Sequence, residues 1–453
     1  MATLRAATVA LIASLIAGAS ASEARAQFIE GPIGAIGGVL GGRRPIDTSA
    51  TSQTFDMLFD FSGGYDRDPR IFRFGSIDDD DLDNSSSWLA ATSAASLRYR
   101  VGSIRRSLTA QGRTFFNYQT TVNDTLLGGG GGLVATSAFG PRQDHRLTVE
   151  AQATYEPRWA IGLLQVPDAI GTASPSNDVA PPTGIFERRW LYMSGSGSYQ
   201  RQWNRSHSSV LTYNRRHLEP VVGTGLASTF QRASFDHAWT VSRSVSIVSG
   251  YRFDENSQRD EDLGAFPSVR YQTADAGLRF TRQLSPLRRF SVSMSGGVTS
   301  VFETDATRNI DTLHPSATVL AEFELSPRFG LASRFSRSIS VLAGASALPL
   351  ANDIVEVSLR GSPTQRLEYS VHTSFFRAQF LAPSLTRAAS ADVAGANGEV
   401  RYALSHWAAV FGAYAFYHHR IDDETLVTGF PPRYERHSAR IGVTFWLPVY
   451  GAF

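Results

Sequence analysis

From Thr51 onward, apolar and polar residues alternate in segments of about ten residues, the period-2 pattern of a strand with two different faces. Between 147 and 155, Leu147, Val149, Ala151, Ala153 and Tyr155 share one face while Thr148, Glu150, Gln152 and Thr154 share the other. Segment 290–299 repeats this, with Phe290, Val292, Met294, Gly296 and Val298 against Ser291, Ser293, Ser295 and Thr299. Nearer the start, Phe55, Met57, Phe59 and Phe61 alternate with Asp56, Asp60 and Ser62. A soluble sandwich alternates in the same way, so the pattern alone specifies antiparallel sheet and not its surroundings.

The connections carry more information. Short links centred on Gly102, Pro157, Asn204, Arg243, Ser285, Ser326, Pro363 and Ser405 alternate with longer polar stretches near 66–87, 120–143, 168–186, 217–227, 255–267, 303–313, 342–352, 381–392 and 421–432. Eight short and nine long connections join about eighteen strands, an even number that leaves both ends on the short-turn side. Omitting the hairpin around 158–167 leaves sixteen. Short turns on one rim and long loops on the other predict an all-β fold, a closed transmembrane antiparallel up-and-down barrel with periplasmic turns and extracellular loops. Trp159, Trp203, Trp239, Phe290, Phe329, Trp407 and Trp446 stand beside the short turns, where an interfacial aromatic girdle falls.

The last segment, 433–447, places Ile441, Val443, Phe445 and Leu447 on one face and is followed by a terminal Phe453, with Pro448 and Gly451 interrupting the final positions. It resembles the terminal signal of bacterial outer-membrane proteins, an amphipathic last strand ending in an aromatic that the barrel-insertion machinery reads. The wider resemblance, to the porin-like outer-membrane barrel class, covers 51–453 by pattern and by no specific family motif. It implies an outer-membrane location, with that membrane's lipid and the insertion machinery as partners.

Composition agrees. Apolar residues make up 42% of the chain and mean hydropathy is −0.15, which excludes a bundle of membrane helices. The one uninterrupted apolar run, 6–18, follows Arg5 and precedes the small-x-small site Ala24, Arg25, Ala26, so 1–26 reads as a cleavable signal peptide. Residues 27–50, glycine-rich over 31–42, read as a short flexible periplasmic segment, and 51–453 as the barrel. There is no cysteine, which removes disulfides, thiolate metal sites, a cysteine nucleophile and a lipoprotein anchor. All 43 basic residues are arginine, yet net charge is only +2, which argues against a nucleic-acid partner.

With apolar residues facing lipid, the polar alternates line the interior. Asp56 and Asp60 on the first strand would form an acidic column flanked by Arg98 and Arg100 on the second and by Arg436 and Arg440 on the last. Glu322, Glu324, Glu356 and Glu368 would form a second acidic group interleaved with Arg334 and Arg360. Opposed charge columns across a wet lumen would screen solutes by charge.

Other motifs are weaker. Asp78, Asp79, Asp80, Asp81 and Asp83 lack the glycine and distal acid of a calcium loop and read as solvated. The five glycines 128–132 lack the Lys and Ser/Thr of a phosphate loop and read as a flexible loop tip. His372, His418 and His419 have neither a nucleophile elbow nor a zinc-spaced histidine partner on one element, so no enzyme, metal or cofactor is expected. About eighteen strands leave an aqueous lumen. A passive or semi-selective channel for small hydrophilic solutes follows. The alternatives are an export conduit for a cell-surface exopolysaccharide, which calls for an arginine-rich lumen, and a structural or adhesive barrel with a closed lumen.

Overall fold

A computed structural model describes residues 52–67, 87–103, 105–119, 124–140, 143–159, 187–222, 227–260, 264–265, 268–285, 287–303, 311–326, 328–341, 349–380, 390–421 and 433–451. The expected signal peptide, the 27–50 segment, the acidic run at 78–83, the 168–186 loop and Phe453 lie outside the described residues.

The strands in chain order are β1 (Ser52–Arg67), β2 (Ser87–Gly102), β3 (Arg106–Gln119), β4 (Asp124–Phe139), β5 (His145–Trp159), β6 (Glu187–Gln202), β7 (His207–Val222), β8 (Ala227–Thr240), β9 (Val245–Asp260), the two-residue β10 (Gly264–Ala265), β11 (Val269–Ser285), β12 (Arg288–Glu303), β13 (Asp311–Ser326), β14 (Phe329–Val341), β15 (Pro349–Gly361), β16 (Leu367–Phe380), β17 (Ser390–Ala403), β18 (Ala408–Ile421) and β19 (Arg433–Gly451). β10 pairs only with β9, so eighteen strands make the wall. Each pairs antiparallel with its neighbours in sequence, β9 passes to β11, and β19 returns to β1 over fourteen paired positions. The sheet is therefore closed, without an edge, and all-β.

Its wall strands run from 13 to 19 residues, longer than the roughly 9–11 a tilted strand needs to cross a bilayer. Their two faces differ as the alternation predicts. In β11, Val269, Tyr271 and Thr273 are buried while Arg270, Gln272 and Ala274 are exposed. The outward face carries large exposed apolar side chains such as Phe61, Leu147, Val149, Met294 and Val298. At the turn-side rim this face bears aromatics in contact: Phe139 with Tyr199, Phe290 with Phe280 and Phe323, Phe329 with Tyr369, and Trp407 with Phe445.

Two expectations between 120 and 167 are corrected, and they compensate. Most of the stretch expected as a loop at 120–143 is strand, and its glycines are not a loop tip. Residues 124–139 form β4, paired along its length with β3 and over 129–139 with β5. Glycine has no side chain to show a period, yet its N–H and C=O fill the ladder like any other. A Cβ at Gly130 would stand 2.6 Å from the Ala153 carbonyl oxygen, so the close approach of β5 requires glycine there.

Between β4 and β5, Gly140 at φ 94° and Gln143 at φ 56° take the left-handed conformation. Glu156, Pro157 and Arg158, read as a turn, instead continue β5 opposite Trp190, Arg189 and Arg188 of β6. The strand expected at 158–167 keeps only its first two residues in β5, and 160–167 lies outside the described residues. One strand missed and one supposed leave the total at eighteen.

The last strand also differs from expectation. β19 runs through Pro448 to Gly451, with a register shift opposite Phe55 and Asp56 that accommodates the proline. Trp446 does not join the girdle. It is 7% exposed and packs with Leu58, Ala403 and Ala409 on the inward face, because it shares parity with Thr444 and Arg436. Trp159 ends β5 on the loop side, away from the turns.

Candidate functional site: the charged lumen

Directly opposed residues of neighbouring strands share a face, so the register locates every predicted lumen charge. Asp56 lies opposite Arg98 across β1 and β2, and Thr54 opposite Arg100. On the other side of β1, Asp60 lies opposite Thr444, whose hydroxyl donates to its Oδ1 at 2.5 Å. This hydrogen bond lies across the seam that closes the barrel.

The arginines of β19 stand further along. Arg440 is opposite Gly64, and a Cβ there would sit 2.8 Å from the Arg440 Cγ, so the arginine stem lies across β1 where glycine leaves room. That is four residues from Asp60, about 13 Å along a strand. Arg436, 2% exposed, is further still, opposite Tyr417 of β18. The register therefore brings Asp56 and Arg98 together and sets Arg436 and Arg440 apart from Asp60.

The second group is denser than expected. Glu324 lies opposite Arg289 of β12 and Gly330 of β14, and Arg360 of β15 also lies opposite Gly330. Glu322 feels Glu324, Arg360 and Arg289 electrostatically. Glu368 on β16 is opposite Arg401 of β17, which holds Glu399 at 2.7 Å. Arg334 and Glu356, directly opposed on β14 and β15, stand 3.9 Å apart.

Arg289, Arg401 and Glu399 escaped the sequence reading, although all three occupy alternate positions on strands with apolar neighbours. So did a third group on β8, β9 and β11, where Arg232 meets Asp254 at 2.6 Å and Arg252 meets Asp275 at 3.9 Å. The Thr273 and Thr299 hydroxyls are hydrogen-bonded beside them at 2.9 Å. On the loop side β14 leaves β13 after Arg337 but stays paired with β15 to Val341. Its Ile339 packs against Val269, Tyr271 and Val301 of β11 and β12.

The histidines separate. His419 is 3% exposed with inward parity, His372 lies opposite Ser358 and Asn397, and His418 lies 3.9 Å from the Glu435 carboxylate.

A closed antiparallel barrel of eighteen strands, apolar outside and charged within, is a porin-like transmembrane barrel of the bacterial outer membrane. No protein-family model matches the chain, and no curated protein matches it. Among solved structures the chain is similar, at a low level, to Pseudomonas aeruginosa OpdQ (10% identity, 88% of this chain and 98% of that one, TM-score 0.42) and Acinetobacter baumannii OccAB2 (9%, 88% and 98%, 0.44). The siderophore receptor PirA of P. aeruginosa also appears (9%, 89% and 81%, 0.42). At these scores the class rests on the barrel's own strand order and faces.

Proposed function

We propose that this barrel is a diffusion channel for small hydrophilic solutes, its lumen charges setting which solutes pass. The observation that carries this reading is the inward face, which presents polar and charged side chains from every third of the barrel: Asp56 and Arg98, Arg232 and Asp254, Glu322 and Arg360, Glu368 and Arg401. A wall that buries its apolar side chains in lipid and turns charges inward spends those charges on a water-filled path. A conduit for acidic polysaccharide calls for arginines free to meet sugar carboxylates, whereas Arg334, Arg401, Arg232 and Arg252 each face a protein carboxylate within 4 Å. The closing strand β19, paired to β1, is the segment the insertion machinery would read.

Conductance in planar lipid bilayers tests the channel. The expected result is steady open conductance from purified protein. Changing Arg98, Arg100, Arg436 and Arg440 together to Ser moves the reversal potential toward cation selectivity. Absence of any conductance removes the channel reading, and an unchanged reversal potential removes the role given to these arginines.

A further inference from the structure

On the outer wall, at the turn-side ends of β7 and β8, two histidines meet across the strands. His207 opens β7 and lies opposite Trp239; two residues on, Ser209 lies opposite His237. The two imidazoles are therefore diagonal neighbours, with ring centroids 5.5 Å apart and His207 Nδ1 3.3 Å from His237 Nε2.

Both rings are held from behind. His207 stacks on Trp239 at 5.9 Å and 6°. The other nitrogen of His237, Nδ1, lies 2.9 Å from Ser209 Oγ, and the same oxygen accepts the Trp203 indole N–H at 2.9 Å. The turn before β7 is tied down by Asn204, whose side-chain oxygen accepts the N–H groups of Ser206 and His207. Arg201 in turn covers the Trp203 ring at 3.6 Å.

We propose that His207 and His237 form a two-imidazole binding station for a divalent transition-metal ion of the zinc, copper or nickel type. Two nitrogens each about 2.0–2.1 Å from a tetrahedral zinc stand about 3.3–3.4 Å apart, the separation these two rings already have. Serine completes the logic. When His237 donates Nδ1–H to Ser209, its Nε2 lone pair is presented to His207, the arrangement by which a second hydrogen bond fixes a ligand's tautomer. In the metal-free protein a proton on His207 Nδ1 bridges the pair; on metal binding that proton passes through solvent to His207 Nε2, which frees the Nδ1 lone pair for the ion. Imidazole suits these metals.

Among the described residues no group of three or more His, Asp or Glu stands in metal-binding arrangement, so the two imidazoles are the protein ligands proposed and solvent would supply the remaining positions. The serine is not placed as a nucleophile. It sits within the β6–β7–β8 sheet, where strand N–H groups are committed to the ladders and offer no oxyanion donors.

The test uses full-length protein in detergent, purified without a histidine tag and stripped with a chelator. Zinc titrated calorimetrically should show one saturable site per chain, and copper should quench tryptophan fluorescence with the same stoichiometry. His207→Gln and His237→Gln, which keep size and hydrogen bonding, should abolish the site; Ser209→Ala should weaken it about tenfold, the scale of losing an outer-shell partner. Should the glutamine variants fail to fold, copper bound to the unmodified protein still decides, through nitrogen hyperfine coupling in its paramagnetic resonance. Absence of saturable zinc binding, glutamine variants that bind as the parent does, or bound copper without nitrogen coupling would each overturn the proposal. None of these results depends on whether the barrel conducts.

Discussion

The glycine run in β4 offers a sharp test of why that strand reads as a loop in sequence and folds as wall. At Gly130 a Cβ would meet the Ala153 carbonyl oxygen and the Thr154 hydroxyl at 2.6 Å, and the Thr154 Cα at 2.8 Å. All three are contacts real Cβ atoms do not make, and two are backbone. Gly197 in β6, by contrast, has nothing within 4 Å of its would-be Cβ.

Alanine at Gly197 should stabilise the barrel by about 0.4–1 kcal/mol, because it restricts the unfolded chain without disturbing the folded one. Alanine at Gly130 gains the same restriction but must push β5 away, at the roughly 1–3 kcal/mol cost of an overpacked site. The restriction is common to both, so the two variants should differ by about 1–3 kcal/mol, which is roughly five- to 150-fold in the folding equilibrium constant. Reversible urea unfolding in lipid vesicles, followed by tryptophan fluorescence, measures this as a difference in midpoint of about 1 M at the usual slopes. Equal midpoints for Gly130→Ala and Gly197→Ala would show that β4 and β5 do not approach as described.

Two further predictions address closure and facing. Thr444→Val removes the hydroxyl that donates to Asp60 across the β1–β19 seam. It should cost about 1.5–3 kcal/mol, the range for a hydrogen bond to a charged group, read in the same urea titration, and Asp60→Asn should not add a second full loss on top of it. Val149→Arg and Thr148→Arg place the same charge on adjacent residues of opposite face: the first should destabilise by up to about 2–4 kcal/mol if it reaches mid-bilayer, the second by almost nothing, and similar values for both would refute the assignment of faces.

How far these features could be read in advance depends on where their physical cause resides. The strands β1, β5 and β12 were legible because Phe61, Val149 and Met294 face lipid on every second residue, a signal local to a few positions. β4 was not, since a glycine backbone forms the ladder while leaving no apolar mark, and the residue that ends it, Gly140, is one glycine among many until its left-handed φ is seen. Parity correctly places Trp446 inward with Thr444, but its size and chemistry suggested a girdle. Only the closing register, which sets Trp446 opposite Leu58, shows that an apolar pair occupies the lumen wall there.

The same limit governs the sites. Inward charges could be proposed one strand at a time, but their pairing depends on stagger between strands distant in sequence. That stagger moved Arg440 from Asp60 to Gly64 and brought Arg289 to Glu324. His207 and His237 lie thirty residues apart, so a search for paired histidines on one element necessarily passes over them; diagonal contact between neighbouring strands supplies the spacing that a single strand lacks. In a barrel, alternation is written in each strand, while chemistry that needs two partners is written in the register, and register emerges only when the sheet closes.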